Sequence, residues 1–75
     1  MSEKLPSLTP KKVIRAFERA GFVVARQSGS HVVLLNEATD KQIVIPLHSK
    51  DIKKGLLIAQ IKRAGLTIEE FKKLL

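Results

Sequence analysis

Phe22-Val23-Val24-Ala25-Arg26-Gln27, then Ser28-Gly29-Ser30, then His31-Val32-Val33-Leu34-Leu35, run into one another near the middle of the chain. A polar connection, Asn36-Glu37-Ala38-Thr39-Asp40-Lys41, leads on to Gln42-Ile43-Val44-Ile45 and then to Pro46. Branched residues fill three short runs, and turn-forming residues separate them. Each run is therefore a strand. Pro46 stops the third, because proline has no N–H to give a ladder. Connections this short join strands antiparallel, as a meander. The second run alternates faces: Val32 and Leu34 point one way, and His31, Val33 and Leu35 the other. Both faces of the sheet are thus apolar, and a partner chain is the natural cover for the second one.

Outward from the sheet the period changes. Thr9-Pro10 is a helix start, with a capping hydroxyl followed by proline at the first helical position. Val13, Ile14, Phe17 and Ala20 form one apolar stripe, Arg15, Glu18 and Arg19 lie across from it, and Gly21 closes the helix. After Pro46 a loop carries Leu47 to Ile52. A second helix begins between Lys53 and Leu56, buries Leu57, Ile58 and Ile61, and ends at Gly65. Thr67-Ile68-Glu69-Glu70 has the spacing of a capping box and opens a last short helix bearing Ile68, Phe71, Leu74 and Leu75. The fold class is therefore α+β, in the order α-β-β-β-α-α. A three-stranded antiparallel sheet carries helices on one face, as in the double-stranded-RNA-binding domain.

The chain has 75 residues, enough for a single domain (1–75, with 1–8 as a polar leader) and for a marginal core. There is no cysteine, so disulfides and Cys-based zinc sites are excluded. Lys and Arg number 14 against 7 Asp and Glu, a net charge of +7. A polyanion is the leading partner and an acidic protein the second. No apolar run is long enough to span a membrane, and the N-terminus has no signal-peptide stretch. A cytoplasmic protein with no membrane partner is expected.

His31 is the chief candidate for chemistry. It leaves a Gly-Ser turn and enters a strand, which sets an imidazole on a rigid element. Imidazole, with an ordinary pKa of about 6.5, suits proton transfer near neutrality. Ser28, Gly29 and Ser30 offer N–H and hydroxyl donors to a phosphate, and Arg26 lies near the same turn. Lys50, Lys53 and Lys54 have i, i+3, i+4 spacing, one face if they are helical. Cations at a helix start call for an anion there. The plain alternatives stand beside these: His31 as a half-exposed strand histidine without a task, the lysines as a solubilising patch. His48 is either a second acid/base group or a loop histidine that bonds to backbone and shapes its turn, and the second reading is preferred.

The three aromatics, Phe17, Phe22 and Phe71, all fall on apolar faces and belong to the core. No platform for stacking single-stranded bases is left, which argues against the usual sheet and barrel RNA binders. No phosphate-binding glycine loop and no acidic pair for a metal is present. No cofactor and no metal are expected.

In their order and spacing several segments together resemble one family. They are Ala20-Gly21-Phe22, Arg26-Gln27-Ser28-Gly29-Ser30-His31, Ile45-Pro46-Leu47-His48, Lys53-Lys54-Gly55-Leu56 and Ala64-Gly65-Leu66. From about Thr9 to Leu75 the chain resembles the HicA (YcfA-like) toxins of HicAB toxin-antitoxin systems. The resemblance implies a metal-independent endoribonuclease, an mRNA interferase that blocks translation. It implies that His31, in the Gly-Ser-His segment, is catalytic, and that a HicB-like antitoxin masks the site. Val32 stands where many members have a second histidine or another polar residue, and Leu56 where threonine is common. A homodimer is left open. Two other readings keep the fold without the chemistry: a non-catalytic RNA-binding module, and a protein-interaction domain with no RNA activity.

Overall fold

Thr9 and Pro10 begin the first helix as their chemistry requires. In the structure, a computed structural model describing residues 5–75, α1 covers Pro10–Arg19. Thr9 Oγ1 accepts the Lys12 N–H at 3.3 Å. The strands are β1 (Val23–Ser28), β2 (His31–Asn36) and β3 (Lys41–Pro46), followed by α2 (Lys54–Arg63) and α3 (Ile68–Lys72). The sheet order is β1-β2-β3, antiparallel throughout. The expected order and helices on one face are both present. Strand ends differ from the sequence reading by about a residue. Phe22 is not yet in β1, because its N–H still bonds the Phe17 carbonyl at 3.1 Å as the chain leaves α1. Gly21, with φ +102°, makes that exit, a conformation costly for any residue with a Cβ.

Register sorts the side chains. Val32 pairs with Ile45 and Leu34 with Ile43, and all four are buried beneath the helices. Phe17 is fully buried at the centre. Its ring meets Phe22 edge-on at a centroid distance of 5.6 Å and Phe71 at 5.0 Å. One residue thus ties α1 to the start of the sheet and to α3, and each aromatic pair adds about 0.5–1.5 kcal/mol beyond its buried area. The capping box is complete. Thr67 Oγ1 accepts the Glu70 N–H at 3.0 Å, and Glu70 Oε1 accepts the Thr67 N–H at 2.8 Å.

Two expectations are corrected. The leader is not merely polar: Leu5 and Leu8 are buried in the core, and the Leu8 carbonyl accepts the Ile52 N–H at 2.9 Å. A 75-residue chain draws apolar area from wherever it can reach. Met1 to Lys4 of that leader lie outside the described residues. The second correction concerns the face opposite the helices. Val33 there is buried, and Leu35 and Val44 are half-buried. The exposed apolar surface lies instead on β1, at Val23 and Val24. All six β1 residues are exposed, because α1 and α2 pack toward β3 and leave the β1 edge bare. A register shift between Val24 and Arg26 breaks that edge, a device that discourages strand-to-strand association.

The other edge is covered. Gln60 of α2 is buried, and its Oε1 accepts the outward-facing Val44 N–H at 3.0 Å. Replacing Gln60 with Leu leaves that donor without a partner, and urea denaturation should show a loss of about 1–3 kcal/mol. Two glycines should respond oppositely to alanine. Gly29 has φ +60°, so Gly29→Ala should cost about 1–2 kcal/mol. Gly55 sits in α2 with nothing within 4 Å of an added Cβ, so Gly55→Ala should gain about 0.4–1 kcal/mol. Thermal melting of the pair checks both signs.

Candidate functional site

Ser28 pairs directly with His31, leaving Gly29-Ser30 as a two-residue hairpin loop. Such loops need positive φ at one or both central positions to match strand twist, and glycine supplies it in the first. The loop therefore ends with His31 as the first residue of β2, its side chain on the face away from the helices and exposed. On the far side His31 pairs with Pro46, the last residue of β3. Ser28, His31 and Pro46 thus form the end row of the open face. Arg26, Val33 and Val44 form the next row. Arg26 accordingly shares the face of His31, one row in.

The chain beyond Pro46 stays close. The Leu47 N–H bonds the carbonyl of Ser30, which ties the exit of β3 to the turn before His31. His48 follows at once, and its ring centroid lies 6.1 Å from that of His31, with the planes at 57°. Both rings border a pocket of about 310 Å³. Its other walls are Pro46 at the end of β3, Ser49, Asp51 and Ile52 of the loop, and Lys53 and Leu56 at the start of α2. Lys53 is the N-cap of α2, makes no side-chain cap bond, and no acidic residue follows in the first turn. The leading N–H groups of α2 therefore meet no cap from this residue, beside the pocket, where the helix dipole favours an anion.

Of the residues expected at the site, His31 and Lys53 border this pocket. Ser28, Gly29 and Ser30 build the turn that aims His31, and Arg26 stands on the adjoining row. Lys50 and Lys54 are exposed nearby in sequence but do not line the pocket. The premise that Lys50, Lys53 and Lys54 share a helical face fails. Lys50 lies in the loop, and Lys53 has the extended conformation of a cap, so α2 begins only at Lys54. The sequence reading also set His48 aside as a residue that bonds to backbone. Among the described residues its side chain makes no hydrogen bond, and it stands in the pocket. Strand arithmetic held the signal, since a meander returns the residues after Pro46 to the start of β2. Among the described residues no three His, Asp or Glu side chains gather where they would hold a metal ion.

The arrangement offers two exposed imidazoles, one ammonium, one carboxylate (Asp51) and a helix start around a small open pocket. Those groups suit a bound phosphate and proton transfer next to it. No helix of the described residues is long and apolar enough to cross a membrane. No curated protein matches the chain. Residues 10–66, from the start of α1 to the loop before α3, match the model of a family described as the HicA toxin of bacterial toxin-antitoxin systems, and the chain belongs to that family.

Proposed function

We propose that this protein is the toxin of a type II toxin-antitoxin pair, an endoribonuclease that cleaves mRNA by histidine acid/base catalysis and is restrained by a HicB-like antitoxin. One observation carries the reading: His31 stands exposed at a strand end on the rim of an open pocket of about 310 Å³, beside the uncapped start of α2. Family membership and the net charge of +7 support an RNA substrate. His31 takes the proton of a ribose 2′-hydroxyl or gives one to the leaving 5′-oxygen. The 2′-oxygen attacks the adjoining phosphorus, the bond to the 5′-oxygen breaks, and a 2′,3′-cyclic phosphate and a free 5′-hydroxyl result. Lys53 and Arg26 stabilise the charge that builds on the phosphoryl oxygens, and no step calls for a metal or a cofactor.

His31→Ala should lower cleavage of a long single-stranded RNA about 10²–10⁴-fold, the usual worth of one acid/base group. The assay runs in EDTA with the fragment ends analysed. Cleavage unchanged by the substitution would remove His31 from the mechanism. Salt-sensitive binding with intact RNA for both proteins would point to a binding module instead. A second measurement uses the His31→Ala protein as a non-cleaving binder. Adding Lys53→Ala should lower the slope of log affinity against log salt by about 0.7, one phosphate contact to a single strand.

A further inference from the structure

We infer that His48 is the second proton-transfer group of this site, so that His31 and His48 work as an acid/base pair on one phosphodiester. The inference rests on the ribonuclease reading and deepens it. In-line displacement places the entering 2′-oxygen and the departing 5′-oxygen on opposite sides of phosphorus. Each proton transfer needs a nitrogen within about 2.6–3.2 Å of its own oxygen. A single imidazole does not reach both sides at once. His31 and His48 approach the pocket from two different segments, with ring centroids 6.1 Å apart and planes inclined at 57°. At that spacing the rings do not bond each other, and both face one pocket that a phosphodiester can enter.

Two backbone links bring the two residues together. His31 is in register with Pro46, and the Leu47 N–H bonds the Ser30 carbonyl, so each histidine is adjacent to an anchored residue. Among the described residues neither imidazole is engaged in a hydrogen bond, and both are exposed. A histidine that served only to shape the loop would be held by its own ring nitrogens. Here the backbone already holds the loop, and no described residue bonds the ring. Asp51 and Lys53 share the pocket with the pair, Lys50 and Lys54 lie nearby in the loop and at the helix start, and Arg26 is on β1 across the open face.

The step balances without a co-reactant. One imidazole enters neutral and takes the 2′-hydroxyl proton as the O–P bond forms. The other enters protonated and gives its proton to the 5′-oxygen as the P–O bond breaks. Two protonation states are then required together, so the rate passes through a maximum with pH, and the two limbs belong to the pair as a whole.

The test measures cleavage rate against pH in EDTA for wild type, His31→Ala, His48→Ala and His48→Gln, with thermal melting of each. Two RNA oligonucleotides are used, one with the natural 5′-oxygen and one with sulfur in its place, a leaving group that needs no proton. Expected are a bell-shaped wild-type profile on oxygen and the loss of its acid-dependent limb on sulfur, a readout that needs no variant. His48→Ala should fall about 10²–10⁴-fold on oxygen. One of the two histidine variants, and not the other, should recover on sulfur. Cleavage by the His48 variants within tenfold of wild type, with both limbs kept, overturns the inference and leaves the ribonuclease standing. Loss in a folded His48 variant with no recovery of either histidine variant on sulfur overturns it too. No cleavage by wild type overturns the ribonuclease reading and the pair with it.

Discussion

The pairing register of β2 is the constraint on which the rest depends. A strand puts alternate residues on opposite faces, so a slip of one residue exchanges them all. In the observed register Val32 and Leu34 meet Ile45 and Ile43 in the core, and His31 stands opposite Pro46 on the open face. A slip of one would bury an imidazole and expose Leu34. The apolar residues of β2 therefore fix the position of His31 without touching it. The short Gly29-Ser30 loop fixes the same register from the other side, since Ser28 must face His31. Two independent devices agree on a single alignment, which is the consistency expected of a sequence that specifies one structure.

The helices then decide which surfaces are free. α1 and α2 pack toward β3, and Gln60 closes the β3 edge by accepting the Val44 N–H. β1 is left with every residue exposed, with Val23 and Val24 on view and a register shift beside Ala25. An open strand edge is a template for unwanted pairing. The net charge of +7 works against association between copies of this chain. The same charge draws a polyanion, so one property of the surface serves both solubility and ligand attraction.

Local signals made most of the fold legible. Thr9-Pro10, the Thr67/Glu70 box, the turn at Gly29 and the burial of Phe17, Phe22 and Phe71 all rest on residues near in sequence or on simple periodicity. The misses share a physical cause. Leu5 and Leu8 looked like leader because their core partners lie far along the chain. Nothing local to Gln60 marks it for burial, and the neighbouring strand edge explains it. Lys50, Lys53 and Lys54 suggested a helical face, but spacing by itself does not say where a helix starts. For His48 the local sequence favoured a loop-shaping role. Its meaning appears only when β2 and β3 are paired and the chain beyond Pro46 returns to His31.

The pocket that both histidines border is open. Charges at an open site are screened by water, so Lys53 in its proposed role contributes less there than it would in a closed cavity. What such a site retains is geometry. Orientation of reacting groups is effective even without burial, provided that the groups are held in place before the substrate arrives. In the proposed pair one residue sits on a strand end fixed by a packed core, and the other follows directly on a backbone hydrogen bond to the turn before it. The rigidity that a larger enzyme obtains from surrounding shells of side chains comes instead from the sheet itself. The part of the fold that the hydrophobic pattern of β2 determines most strongly is therefore also the part that brings the two histidines to one pocket.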